Sequence, residues 1–246
     1  MKTINQALGS VVRLEHHGGL ATAFFYRNSS DELYLVTNKH VIRAEDSAYS
    51  PKILYAHCPL RTSRDKSRYN TKRIRIELYQ RKNKGIKWKT PQDPKIDIAA
   101  LKIEEEKLEG CSITSLSSKD TLSPGNYPAL GSTLLGFPGL KGTQFYDVFS
   151  NLPIVRSSSV ATLPFLTFTS PNLEIYKERY FLVDGILGPG MSGSPVVSLQ
   201  KSILIKNGKP VFNDVNSYFV GILSSGSSQL ELHTIWLADL IEDATH

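Results

Sequence analysis

The sequence has few of the features that mark secreted or membrane proteins. Its 246 residues include only two cysteines, Cys58 and Cys111, whereas a secreted domain of this size often carries several disulfides. No stretch approaches the roughly 18 consecutive apolar residues of a membrane-spanning helix. The first ten residues lack the apolar core of a secretory signal. These absences predict a cytoplasmic protein with no membrane segment and with free, buried cysteines.

Helical patterns are also scarce, and short strand-like runs replace them. Runs such as LYLVTN, IDIAALKI and SYFVGILSSG are rich in β-branched and aromatic residues and end at Gly, Pro, Asn or Ser, which predicts many short strands. One or two helical turns are expected after Thr37 or Asn38. Apolar residues at helical spacing predict a packed C-terminal helix over residues 232–242. The chain is therefore predicted to be all-β, and the Pro- and Gly-rich segment 123–132 is expected to connect two β halves.

The segment GPGMSGSPV, residues 188–196, contains a candidate nucleophile, Ser192. Gly190 and Gly193 permit a sharp turn and a close approach of the backbone to a ligand. The N–H groups of Gly190 and Ser192 can point into one concavity, as an oxyanion requires. The same pattern fits an ordinary turn, so Ser192 becomes a candidate only if a base and a carboxylate accompany it.

His40 and Asp97 are the candidates for that base and carboxylate. His40 follows the run LYLVTNK and opens the expected helical turn, a rigid position that suits a general base. The alternative is a strand-end histidine without a special role. Asp97 lies in an apolar strand, where a carboxylate is costly to bury unless it is paired. It therefore either faces water or meets a partner inside. The order His, Asp, Ser is not that of the α/β-hydrolases or the subtilisins.

Five segments, taken together, resemble the chymotrypsin/trypsin-fold serine proteases, and most closely the bacterial HtrA-type branch. TNKHVI resembles the histidine segment of that family, DIAALKI its aspartate strand and GFPG a turn of its second barrel. GPGMSGSPV resembles its nucleophile loop and GILSSG its substrate-pairing strand. The resemblance implies two six-stranded antiparallel β-barrels in one domain over residues 1–246. The first barrel is expected at about 8–122 and the second at about 130–231.

The resemblance also implies a function, that of a serine endopeptidase that works through an acyl-enzyme intermediate. His40 would be the general base, Asp97 its orienting carboxylate and Ser192 the nucleophile, with the N–H groups of Gly190 and Ser192 as the oxyanion hole. Neither a cofactor nor a metal is expected. The implied substrate-binding residues are Ile186 and Leu187 in the specificity pocket and Ser224, Ser225 and Gly226 in the substrate strand.

Two departures from the family pattern change what is expected. Met191 stands where the digestive branch has the aspartate that captures a newly cut N-terminus, so we expect no activation by N-terminal processing. No PDZ-like module is expected after residue 241. If Ile186 forms the pocket base, the pocket favours a small or medium apolar side chain at P1. Asp184, two residues before Ile186, is close enough in sequence to reach the pocket and would then favour a basic side chain instead.

Positive charge is concentrated in residues 61–95, which hold 13 of the 29 Lys and Arg. This segment is either a solvated loop or hairpin of the first barrel or a docking surface for an acidic protein or nucleic acid. Its Tyr69, Tyr79 and Trp88 would then stack on bases.

Two alternatives to an active protease remain. The chain is either a catalytically silent or partner-activated binding module on the protease fold, or a nucleic-acid-binding β-barrel with a coincidental triad. The intact His40, Asp97 and Ser192 favour the active enzyme.

Overall fold

In the computed structural model, the chain is built almost entirely of antiparallel strands. Within the described part of the chain there are sixteen strands and three α-helices. The described residues are 2–16, 19–43, 51–60, 71–80, 85–122, 127–128, 133–136, 153–162, 179–185, 190–200, 203–206, 209–212, 216–227 and 231–245.

The first half of the chain forms a curled sheet of eight strands. These are β1 (Val11–His16), β2 (Gly19–Arg27), β3 (Leu33–Thr37), β4 (Ile53–Pro59), β5 (Thr71–Glu77), β6 (Trp88–Lys89), β7 (Ala99–Lys102) and β8 (Leu116–Ser117). Their order across the sheet is β5-β4-β1-β2-β3-β7-β6, and β8 pairs in parallel with β2. Between these strands lie α2 (Lys39–Ile42) and two 3-10 helices, Glu105–Leu108 and Ser118–Asp120. Helix α1 (Lys2–Ser10) precedes the sheet.

The second half forms a closed six-stranded barrel and a hairpin. The strands are β9 (Thr133–Gly136), β10 (Arg156–Val160), β11 (Tyr180–Asp184), β12 (Pro195–Gln200), β13 (Ile203–Lys206), β14 (Lys209–Phe212), β15 (Asn216–Ser227) and β16 (Leu232–Leu237), followed by α3 (Asp239–Thr245). The barrel closes in the order β10-β11-β16-β15-β12-β9, and β13 pairs with β14. The predicted all-β fold with two barrel-like sheets and a short C-terminal helix is confirmed, although the first sheet has eight strands rather than six.

Strand β2 joins the two halves because both of its faces are buried. Successive side chains of a strand point to opposite faces, and here Phe25 enters the core of the first sheet while Phe24 enters the core of the second barrel. There Phe24 meets Phe219 of β15 edge to face, with ring centroids 5.5 Å apart. This double burial holds the two sheets against each other.

The C-terminal helix begins later than the sequence predicted. Residues 232–237 form β16, which pairs with both β11 and β15 and so completes the barrel. Thr234, Ile235 and Trp236 favour strands, and the ladder on both sides outweighs the helical spacing of the apolar residues. The predicted helix over 232–242 is therefore wrong in its first six residues, and only α3 is helical.

Helix α3 fastens the end of the chain to the first sheet. The hydroxyl of buried Tyr26 donates to Glu242 Oε1 at 2.7 Å, and that of Tyr34 donates to the carbonyl of Thr245 at 3.1 Å. Burial and the neighbouring Glu242 raise the pKa of Tyr26. None of the helices in the described ranges is long and apolar enough to cross a membrane.

The predicted state of the cysteines is confirmed. Cys58 and Cys111 are thiols rather than a disulfide, and both are buried in the core of the first sheet. Burial and the neighbouring Cys111 raise the pKa of the Cys58 thiol, so it remains protonated and unreactive.

Candidate active site

The end of β3 determines the position of His40. All five residues of β3 are buried, so the strand is anchored on both faces, and α2 begins two residues after it ends. The sequence predicted this helical turn, and the structure confirms it. Asn38 occupies the N-cap position in an extended conformation, but its side chain makes no capping hydrogen bond.

Asp97 binds His40 at two points. Its Oδ1 accepts the backbone N–H of His40 at 2.9 Å, and its Oδ2 lies 2.6 Å from the imidazole Nδ1. An ionised carboxylate only accepts hydrogen bonds, so Nδ1 carries the proton and Nε2 is left with its lone pair. The Asp97 side chain is 18% exposed and that of His40 is 43% exposed. The imidazole is therefore oriented by Asp97 on one side and open to solvent on the other.

Ser224 adds a third hydrogen bond to the same carboxylate. Its hydroxyl donates to Asp97 Oδ2 at 2.5 Å, although the two residues lie 127 positions apart in the chain. From the sequence, Ser224 was assigned only to the substrate strand, and this contact was missed. No local signal reveals the contact, because it depends on a register irregularity in β15 between Leu223 and Gly226.

The loop that carries Ser192 is attached to both sheets. The carbonyl of Ser192 accepts the N–H of Thr22 in β2 at 3.0 Å, and the N–H of Gly193 donates to the carbonyl of Leu223 in β15 at 2.9 Å. Leu223 directly precedes Ser224. The loop is therefore bound on one side to β2 and on the other to the residue of β15 that precedes the Asp97 contact.

The two glycines beside Ser192 are required by the geometry of the loop. Gly190 and Gly193 both have φ of +90°, which a residue with a Cβ adopts only under strain. A Cβ on Gly193 would also lie 2.0 Å from the carbonyl oxygen of Thr22 and 2.7 Å from Thr37 Oγ1. Thr37 is three residues before His40, so this close packing holds Ser192 beside the His40 segment.

Met191 is part of the second core. It is 2% exposed, and its carbonyl accepts both the N–H and the hydroxyl of Ser194, at 3.0 Å and 2.5 Å. Thr22 Oγ1 donates to the carbonyl of Gly190 at 2.9 Å. Met191 therefore anchors the loop by apolar burial. That no N-terminal processing is needed stays a prediction.

A comparison with protein families identifies the chain. Residues 21–204 match the model of the trypsin-like peptidase domain, which is well over half of the sequence. The chain belongs to the trypsin-like peptidase family. The recognition of a trypsin-fold serine protease from the five sequence segments is confirmed. No curated protein sequence matches the chain.

Solved structures of proteases show the same fold at low sequence identity. The inactive form of the Rv3671c protease matches at a TM-score of 0.52 and 12% identity, over 98% of this chain and 89% of its own. Deg5 matches at 0.52 and 18%, over 98% and 88%. The active form of Rv3671c from M. tuberculosis matches at 0.51 and 14%, over 98% and 81%. At these identities the likeness shows the fold of this peptidase and nothing finer.

The substrate side of the cleft is described only in part. Ile186 and Leu187 lie outside the described residues, whereas Ser224, Ser225 and Gly226 belong to β15 as expected. Gly226 pairs with His233 of β16. Burial lowers the pKa of His233, and its hydrogen bond to the backbone of Gly185 acts in the opposite direction. His233 was not among the residues selected from the sequence, yet the fold places it beside Gly185 and Gly226.

The described basic residues of segment 61–95 are largely engaged within the first sheet. Arg73 binds Glu15 at 3.0 Å and lies 3.6 Å over the ring of Tyr55. Arg75 binds Glu77 at 2.6 Å, and Lys87 reaches the same carboxylate at 3.6 Å.

The structure corrects one residue proposed for base stacking. Trp88 is buried in the core of the first sheet, so it cannot stack on bases as the docking interpretation required. Tyr69 lies outside the described residues. Within the described ranges, no group of His, Cys, Asp and Glu residues has the arrangement of a metal site.

Proposed function

We propose that this peptidase is a serine endopeptidase in which Ser192 is the nucleophile, His40 the general base and Asp97 the carboxylate that orients it. The observation that carries the proposal is the two-point contact between His40 and Asp97 beside a loop whose backbone is bound to β2 and β15. Family membership supports the peptidase class, and the site chemistry supports the assignment of roles.

The tautomer of His40 gives the direction of proton transfer. Asp97 holds the Nδ1 proton, so Nε2 is the atom that accepts the hydroxyl proton of Ser192 as the oxygen attacks the scissile carbonyl. The imidazolium that forms is stabilised by the adjacent carboxylate. It then donates its proton to the leaving amine, which yields an acyl-enzyme and a free amino terminus. A water molecule, activated by the same Nε2, hydrolyses the ester and restores Ser192.

The developing oxyanion needs donors that are in place before the reaction. We assign these donors to the N–H groups of Gly190 and Ser192. The positive φ of Gly190 supports this assignment, because it turns the peptide unit at a point where any other residue would resist. A hydrogen bond to an oxyanion of this kind contributes about 3–4 kcal/mol to transition-state stabilisation in serine proteases.

We further propose that the chain accepts a small or medium apolar side chain at P1. The proposal rests on the apolar side chains of Ile186 and Leu187, which the family resemblance assigns to the specificity pocket. Asp184 is exposed at the end of β11, so it is available to water and need not face the pocket. A peptide library cleaved fastest after Arg, Lys, Glu or Asp would contradict this preference.

Fluorophosphonate labelling followed by intact-mass measurement tests the assignment of the nucleophile. The reagent requires an activated serine and donors for its phosphoryl oxygen, but it does not require a known substrate. We expect one adduct on the wild-type chain and none on Ser192→Ala. Ser198→Ala is the matched control, because the Ser198 hydroxyl is buried in β12 and has no hydrogen-bond partner among the described residues. Retention of the adduct in Ser192→Ala, or its absence from the wild type, would contradict the proposal.

A further inference from the structure

Asn38 does not use its side chain as its position in the helix would suggest. Asparagine is among the preferred N-cap residues because its side-chain oxygen accepts an N–H of the first helical turn. Asn38 sits at that position of α2, yet its side chain makes no capping bond. The residue is fully buried, and its Oδ1 has no hydrogen-bond partner among the described residues. A buried, unpaired oxygen is unfavourable, so the amide group serves a different purpose.

The Nδ2 group of Asn38 binds the main chain of Asp97. It donates to the Asp97 carbonyl oxygen at 2.7 Å, and this oxygen can only accept, so the orientation of the amide is determined by the contact. The β3–β7 ladder ends at the pair Thr37 and Ala99. Beyond this pair, the Asn38 side chain makes the next hydrogen bond between the two segments, where their backbones no longer pair.

Two residues at the start of α2 therefore bind both the main chain and the side chain of Asp97. Asn38 binds its carbonyl, while His40 binds its carboxylate through the backbone N–H and through the ring. A further side-chain contact between the two segments comes from Lys39, whose ammonium group donates to the Pro94 carbonyl at the surface. That contact is exposed and long-stemmed, so it constrains Asp97 less than the buried amide does.

We propose that Asn38 is a positioning residue that keeps the Asp97 carboxylate in register with the His40 ring. This inference rests on the proposed function. One observation supports it. The buried Asn38 side chain makes no capping hydrogen bond, its oxygen has no partner among the described residues, and its amide group binds Asp97. Removal of the amide leaves the carboxylate free to rotate or shift away from Nδ1, which weakens the stabilisation of the imidazolium and misaligns Nε2.

The test compares Asn38→Ala with Asn28→Ala. Asn28 is the control because it is also a buried asparagine whose side chain makes hydrogen bonds. Its Oδ1 accepts the N–H groups of Ser30 and Glu32, and it lies at the opposite end of β3 from Asn38. Both variants lose buried hydrogen bonds, but only Asn38 contacts the candidate site. The rate of fluorophosphonate labelling is measured from acid to neutral pH, together with unfolding in urea.

For Asn38→Ala we expect labelling to slow by about 10-fold to 100-fold and its acidic limb to move to lower pH, because a less stabilised imidazolium loses its proton more readily. For Asn28→Ala we expect lower stability to urea but a labelling rate within about twofold of the wild type and an unchanged acidic limb. Equal pH profiles for wild type and Asn38→Ala would overturn the proposal. So would the same shift in both variants, because the effect would then be one of general destabilisation.

A second readout separates this inference from the proposed function. For the His40 Nδ1–H group, which is bound to Asp97, we expect a proton NMR signal far downfield of the amide region, and its detection does not require activity. If the wild type shows this signal but resists the reagent, the proposed nucleophile fails while the role of Asn38 is still measured. We expect the signal to broaden or shift upfield in Asn38→Ala and to persist in Asn28→Ala. Asn38→Leu has a similar shape, no hydrogen-bond donor and no charge. It replaces the alanine variant if that variant does not fold, and its signal must also change.

Discussion

Replacement of Gly193 by alanine tests whether close packing of the loop against β2 positions Ser192. A Cβ at this position meets the Thr22 carbonyl oxygen at 2.0 Å. That oxygen belongs to a central strand and already accepts the hydroxyl of Thr37 at 2.8 Å, so it cannot move aside. Gly110 supplies the control, because it has a similar φ of +81° but no described atom lies within 4 Å of the point that a Cβ would occupy.

The expected magnitudes follow from these two environments. A positive φ costs an alanine about 1–2 kcal/mol, and this is the whole expected effect of Gly110→Ala. In Gly193→Ala the loop must also retreat from β2 and lose the bonds from Gly193 N–H to Leu223 and from Thr22 N–H to Ser192. Each is worth about 1 kcal/mol net. The predicted destabilisation of Gly193→Ala is therefore about 3–4 kcal/mol.

Urea unfolding of both variants measures the difference, and fluorophosphonate labelling measures the site. We expect Gly193→Ala to lose about 2 kcal/mol more than Gly110→Ala and to lose its labelling even where it remains folded, because Ser192 moves with the loop. Equal destabilisation of the two variants would show that the loop relaxes without breaking its contacts. Labelling of Gly193→Ala at the wild-type rate would refute the inference that this packing positions Ser192.

Two further substitutions test other contacts of the structure. Ser224→Ala removes one of three hydrogen bonds to the Asp97 carboxylate. We expect fluorophosphonate labelling to slow by about tenfold and urea stability to fall by about 1–2 kcal/mol; an unchanged labelling rate would remove Ser224 from the site. Tyr26→Phe removes the buried bond to Glu242, and we expect a loss of about 1–2 kcal/mol in urea unfolding with unchanged labelling. A stability equal to that of the wild type would show that α3 is held by its other contacts.

Local patterns in the sequence were sufficient to predict most of the strands and the turn at His40. β-Branched and aromatic residues in short runs determine where the chain can extend, because their side chains fit a pleated, half-buried surface. The same local reasoning failed where two patterns coincide. Residues 232–237 have apolar side chains at helical spacing, and only the partners on either side make them a strand. It also missed α1, whose buried positions are the small residues Thr3, Ala7 and Ser10.

The candidate site could also be predicted only in part from the sequence. The glycines around Ser192 and the carboxylate in an apolar strand are visible in the sequence, because a backbone at positive φ and a buried charge each restrict which residue can be present. The partner His40 was expected from the family resemblance, but the contacts of Ser224 and Asn38 with Asp97 were not. Asn38 and His40 reach Asp97 from one segment, and Ser224 reaches it from a strand 127 positions away in the chain.

The sequence by itself therefore determined the chemical groups available to this peptidase and the local conformations that present them. The tertiary structure decided which groups meet. A hydrogen bond depends on distances of about 3 Å, and such distances between remote residues are set by strand register and by the packing of two cores on opposite faces of β2. The register shift in β15 near Ser224 and the end of the β3–β7 ladder at Asn38 depend on strand pairing, so no local stretch of residues predicts them.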